Sequence, residues 1–152
     1  MAFEARFHVA WAHLDANGHM ANTAYLDIVV DARFQYFASK GMPPAEFARL
    51  RIGPVVRRDE VDYYRELRLL QPFRVNFLLA GLSDDASRFR IVNELRREDG
   101  ELVARVTSQG GWLDLEARRL VEAPPVLAAA LRDLERFEKY EVLESSLKKV
   151  RA

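Results

Sequence analysis

One stretch concentrates residue types able to do acid–base or nucleophilic chemistry: Leu14-Asp15-Ala16-Asn17-Gly18-His19-Met20-Ala21-Asn22-Thr23-Ala24-Tyr25. It lies directly before a long apolar run with helical period. The first amides of a helix have no internal partner and carry partial positive charge. Where they open on a cleft they polarise a carbonyl oxygen and hold an oxyanion. A carboxylate a few residues upstream, charged at neutral pH, can attack that carbonyl or take a proton from water. Asp15 is the candidate for this role. Against it stands the commoner use of Asp or Asn before a helix, as a cap or turn former, and the pattern taken alone favours that use.

Other candidates carry less. His8, His13 and His19 are five and six residues apart, which fits neither a helical ligand pair nor a zinc motif, so no metal is expected. Asp27 and Asp31 are four residues apart on the helix and read as a solvated stripe or as ion pairs with Arg33 or Arg68. Tyr63-Tyr64 and Trp112 read as core or interface aromatics. Arg57-Arg58-Asp59-Glu60 is mixed in sign and reads as a solvated strand face. A Gly-rich phosphate loop and a Gly-x-Ser-x-Gly elbow are both missing.

The elements around this segment follow from periodicity. Residues 3–11 alternate, with Phe3, Ala5, Phe7, Val9 and Trp11 on one side, as a half-buried strand does. Residues 12–21 read as an ordered loop. Tyr25, Ile28, Val29, Ala32 and Tyr36 follow helical spacing; Leu26, Val30, Phe34 and Phe37 fill most other positions, which predicts a buried helix. Thr23, Asp27, Asp31 and Gln35 leave a narrow polar stripe. Gly41 ends the helix and Pro43-Pro44 prevent its continuation. Strands are expected near 54–66, 72–83, 87–98 and 101–115, with Asp99-Gly100 as a hairpin turn and Gly110-Gly111 as a bulge. Pro124-Pro125 open a C-terminal helix presenting Leu127, Leu131, Leu134 and Phe137. Consecutive hairpin strands beside one buried helix make the chain α+β.

Composition limits the alternatives. With 152 residues, 49% apolar and 30% charged, the chain reads as one globular domain. It has no cysteine, which removes disulfides, thiol nucleophiles and iron–sulfur clusters. Its 23 basic and 23 acidic residues give no electrostatic case for nucleic acid or an anionic membrane. No run of 18 apolar residues occurs and the first residues lack the apolar core of a signal peptide, so a soluble cytoplasmic protein is expected.

Trp11 to Arg33 resembles the hot-dog-fold acyl-CoA thioesterases of the 4-hydroxybenzoyl-CoA thioesterase type. The resemblance is carried by Asp15, Gly18, Asn22, Tyr25-Leu26 and Asp31-Ala32-Arg33, with Asp15, Asn17 and His19 also similar to acyl-carrier-protein thioesterases. Glu60-Val61-Asp62-Tyr63-Tyr64-Arg65-Glu66-Leu67 resembles the family's second strand and its turn. The resemblance implies a curved five-stranded antiparallel sheet wrapped around one long central helix, plus the C-terminal helix. It implies a single hot-dog domain over 1–140, with 141–152 as a charged tail, helical if ordered. Two chains, or a dimer of dimers, would pair sheet edges and build sites from both copies. Asp15 takes the family's catalytic carboxylate position, as nucleophile or general base, and the backbone amide of Asn22 the oxyanion position. Gly18 lets the loop approach the thioester. His19, Thr23 and Tyr25 shape the substrate site, and Arg88, near the turn between the third and fourth strands, grips the nucleotide of CoA, with Arg57 and Arg58 as looser candidates. No cofactor is implied, CoA being part of the substrate.

Two other functions compete. Hot-dog hydratases use a longer Asp-x-Asn-Pro-x-His pattern, whereas Asp15-Ala16-Asn17-Gly18-His19 is one residue shorter and lacks the proline. A non-catalytic acyl-CoA binder would have no need for a carboxylate at position 15.

Overall fold

The computed structural model describes residues 2–147. Its long helix, α1 (Ala24–Ser39), buries Ala24, Tyr25, Ile28, Val29, Ala32, Arg33, Tyr36 and Phe37. Thr23, Asp27, Asp31 and Gln35 form the exposed stripe. Gly41 follows with φ +86°, the left-handed conformation that stops a helix without steric cost. Pro44 does more than block continuation: it sits at the first turn of a short second helix, α2 (Pro44–Leu50), where its missing N–H costs nothing.

One sheet wraps this helix. Its strands are β1 (Glu4–His8), β2 (Ile52–Tyr63), β3 (Pro72–Asn76), β4 (Leu78–Ser83), β5 (Arg88–Arg97), β6 (Leu102–Asp114), β7 (Arg119–Val121) and β8 (Glu135–Leu143). Neighbours run antiparallel throughout except β4 with β8, which are parallel. β5 is central, with β6 on one side and β3 followed by β4 on the other. The open edges are β2 on one flank and β1 with β8 on the other. Core side chains fill the concave side: Phe37 meets Phe77 and Trp112 edge-on at 5.7 and 6.0 Å, and Ile28, Val29 and Ala32 pack with Phe73, Val75 and Leu95.

All five expected strand runs are present, but the sheet has eight strands. The run 72–83 breaks at Phe77 because Asn76 replaces ladder bonds: its Oδ1 accepts the Glu94 amide at 2.6 Å, and its carbonyl accepts Asn93 Nδ2 at 2.6 Å. The Gly110 bulge is real, with the extra residue, Arg57, on the facing strand. A Cβ on Gly110 would lie 2.0 Å from the Val55 carbonyl oxygen. Trp11, expected inward, is 78% exposed, because the chain leaves β1 at His8 and coils through a single turn of 3₁₀ helix at Trp11–His13.

The C-terminal expectation is corrected. The third helix, α3 (Pro125–Arg132), ends before Leu134, and Phe137 lies on β8, where it packs on Leu78 and Val92. The boundary expected at 140 falls inside this strand, so residues 141–143 extend the sheet and are not helical. The spacing of Leu134 and Phe137 is compatible with a helix, but the otherwise open edge of the wholly buried β4 imposes an extended pairing. Residues 148–152 of the expected tail lie outside the described residues.

Candidate active site

The residues before α1 form a tight turn closed by Asp15 itself. Its N–H donates to the His19 carbonyl at 2.9 Å, and its own carbonyl accepts the Gly18 N–H at 3.2 Å. Its carboxylate Oδ1 accepts the amides of Asn17 at 2.8 Å and His19 at 3.3 Å. This is the Asx-turn geometry of a turn former. Gly18 closes the turn at φ +78°. Oδ2 accepts no hydrogen bond among the described residues, so one oxygen fixes the carboxylate while the other faces outward on an exposed turn. The turn-former reading of Asp15 is thus met by Oδ1, and Oδ2 has no hydrogen-bond partner among the described residues.

The turn is anchored to the segment after β2. Leu14 bridges Met20 and His19 bridges Arg68 in short antiparallel pairs, and the Met20 amide donates to the Leu67 carbonyl at 2.8 Å. His19 Nε2 lies 3.1 Å from Glu66 Oε2. Leu67 and Met20 are buried beneath, so apolar contact holds the turn against the sheet. The chain then enters α1 without a side-chain cap at Thr23. The amides of Asn22 and Thr23 donate to nothing among the described residues, and the Asn22 carbonyl accepts the Tyr63 hydroxyl at 2.9 Å.

Tyr25 is the point where the local charges meet. Its ring is buried and stands edge-on to Tyr63 at 5.1 Å. Burial raises its phenol above the ordinary value; Tyr63, Glu66 and Asp15 push the same way while Arg97 opposes them. Of the sequence candidates, Asp15, Gly18, His19, Asn22, Thr23 and Tyr25 thus share one neighbourhood at the entrance of α1.

Arg88 does not join them within one chain. It lines a cleft of about 220 Å³ with Arg57, Arg58, Gln109, Gly110 and Ser146. Arg88 pairs with Gly111 on β6, whereas Tyr63 pairs with Ala104. Seven residues of strand put these positions roughly 23 Å apart.

Sequence reasoning missed a buried polar group beneath this surface. Arg33, taken as a possible ion-pair partner of Asp31, turns inward and is 6% exposed. Its Nε donates to Asn93 Oδ1 and its Nη2 to Ser108 Oγ, both at 2.8 Å, and Ser108 Oγ in turn donates to Asp59. Burial lowers the guanidinium to about 10, with Asp59 opposing the shift, so it stays charged at neutral pH. Asp31 instead accepts the Gln35 side chain at 2.9 Å. The signal available in the sequence was one arginine on the face otherwise filled by Ile28, Val29, Ala32 and Tyr36. Beside Arg33 a partly open cavity of about 60 Å³ lies between α1, β2 and β6, with Val30, Phe34, Pro54, Val56 and Trp112 in its wall.

Comparison with known proteins gives the fold and the family. A family model described as the thioesterase-like superfamily matches residues 9–131. The chain is 28% identical over 132 residues to the L-carnitine dehydrogenase/betainyl-CoA thioesterase of Agrobacterium fabrum, covering 87% of this chain but only 27% of that relative's length. A Staphylococcus aureus protein characterised in complex with CoA superposes with a TM-score of 0.80 at 19% identity, covering 100% of this chain and 96% of the other. The 1,4-dihydroxy-2-naphthoyl-CoA thioesterase of Synechocystis superposes at 0.77 with 18% identity, over 88% and 98% of the two chains. These likenesses establish the hot-dog fold, and the family match spans most of the chain: the protein belongs to the thioesterase-like superfamily.

Proposed function

We propose that the protein is an acyl-CoA thioesterase, releasing a free acid and CoA. The observation that carries this reading is the Asp15 carboxylate, held by one oxygen and open at the other, on a turn that runs directly into the unengaged amides of Asn22 and Thr23. A thioester carbonyl oxygen accepts from the Asn22 amide, aided by the positive end of α1. Asp15 either attacks the carbonyl carbon or takes a proton from the water that attacks it. When Asp15 attacks, the carbon–sulfur bond breaks to leave a mixed anhydride on Asp15, which water then hydrolyses to the acid and free Asp15; when water attacks, the carbon–sulfur bond breaks to give the acid directly. In both cases the leaving thiolate takes a proton, so acid and thiol form in equal amounts. Tyr25, His19 and Thr23 line the entrance and shape it.

The site is completed by a second copy. The β2 edge is twelve residues long, mostly exposed, and carries Val56 at 42% exposure beside Val30 at 42% on α1. An open, partly apolar edge of this length invites a partner strand. A two-fold axis near Asp59 and Glu60 pairs β2 with its copy antiparallel. The basic cleft of one chain then lies against the Asp15 turn of the other, and the roughly 23 Å separation within a chain becomes a short span across the interface. Arg88, Arg57 and Arg58 in that position hold the phosphates of CoA.

The test is a free-thiol assay on saturated aliphatic, enoyl, aromatic and betainyl CoA esters, with oligomeric state measured by light scattering. Stoichiometric thiol release by a dimer or dimer of dimers supports the reading. Loss of an enoyl signal without thiol supports hydration instead, and binding of CoA esters without turnover supports a carrier.

A further inference from the structure

We infer that Arg33 selects the acyl group, and that the cavity beside it takes a short chain ending in a hydrogen-bond acceptor oxygen. This rests on the thioesterase and dimer readings above, which bring the partner's Asp15 turn toward the β2 end of this cavity.

Size sets the first limit. The cavity offers about 60 Å³, well below the roughly 150 Å³ of a cavity known to bind benzene. A benzoyl ring enters only if the walls move.

Polarity sets the second. The walls are apolar or aromatic apart from the Arg33 guanidinium. Its Nε and Nη2 are fixed by Asn93 and Ser108, which are themselves anchored, Asn93 on the Asn76 carbonyl and Ser108 on Asp59. Nη1 makes no hydrogen bond among the described residues and is not fully buried, so a ligand can reach it. Trp112 lines the same cavity, is 1% exposed, and its buried Nε1 also has no partner. A buried donor left unpaired is costly, and a ligand that supplies the acceptor removes that cost. A charged donor on an otherwise apolar wall favours an oxygen on the acyl chain over a plain alkyl chain.

The test compares thiol release from butyryl-, 3-hydroxybutyryl-, succinyl- and benzoyl-CoA by the full-length protein. The expected result is a kcat/KM for an oxygen-bearing ester about ten- to a hundredfold above that for butyryl-CoA, the range of one hydrogen bond to a charged donor. The hydroxybutyryl and succinyl arms distinguish a neutral acceptor from a carboxylate. Arg33→Met brings the ratio to near one, and Arg33→Lys restores part of it. Should Arg33→Met fail to fold, Trp112→Phe, which keeps a ring and loses the N–H, is expected to shrink the ratio severalfold. Equal rates for all aliphatic esters, preference for benzoyl-CoA, or a ratio untouched in these variants overturns the inference while leaving the thioesterase reading intact. No thiol from any ester overturns both.

Discussion

The hydroxyl of Tyr63, at the end of β2, donates to the carbonyl oxygen of Asn22, at the entrance of α1, across 2.9 Å. This bond joins the open sheet edge to the residue whose amide is assigned to the oxyanion. It ties the position of that amide to the strand that would also form the dimer interface.

Tyr63→Phe removes the bond and keeps the ring against Tyr25. Because Tyr63 is 48% exposed, stability should fall by no more than about 1 kcal/mol. The kcat for thiol release should drop about tenfold as the Asn22 peptide loosens. Differential scanning fluorimetry beside the thiol assay checks both.

Gly18 separates strain from crowding. A Cβ there meets nothing within 4 Å, but its φ of +78° disfavours any side chain. Gly18→Ala should cost roughly 1–2 kcal/mol and lower turnover by displacing the Asp15 carboxylate. Gly100→Ala, equally open at φ +89° in the hairpin between β5 and β6, should cost a similar stability and leave turnover unchanged. Paired unfolding and rate measurements distinguish the two.

In the proposed function Arg88 is assigned to CoA grip and not to the reacting carbonyl. Arg88→Ala should raise KM for a CoA ester about tenfold, the loss of one charge-assisted bond. The matching pantetheine ester, which lacks the nucleotide phosphates, should keep its wild-type KM. Steady-state kinetics with the two esters decide the point, and an equal rise in both argues against phosphate contact.

Asp85 clasps the segment after β8 to the β4–β5 turn. Burial pushes its carboxyl up, but hydrogen bonds from Ser145, Ser87 and Ser83 and from the Ser87 amide outweigh this and hold it well below the usual range. A carboxylate depressed in the folded state stabilises it fully above the unfolded value of about 3.9 and loses that contribution as pH falls through the folded value. The clasp should therefore hold at pH 4–5 and release only in stronger acid. Asp85→Asn should free residues 144–147 at pH 7, seen as faster proteolytic cleavage there.

The helix, its polar stripe and the strand runs were legible in the sequence because their apolar periods match the surfaces they bury. So was the turn at Asp15, through its Asn, Gly and His neighbours. Three features needed tertiary context. The strand at Glu135–Leu143 follows from an open neighbour edge and not from its own pattern. The buried Arg33 depends on Asn93 and Ser108, 60 and 75 residues away in sequence. The separation of Arg88 from Asp15 depends on strand register. Sequence spacing encodes none of these distances.

The most direct measurement is single-turnover thiol release by Asp15→Asn, an isostere that keeps an oxygen for the Asn17 and His19 amides and loses the charge. If Asp15 is the reacting carboxylate, the rate constant should fall by at least about a hundredfold, with the oligomer and melting temperature close to wild type. A variant equally well folded that turns over at the wild-type rate would leave Asp15 as a turn former alone and remove it from the chemistry.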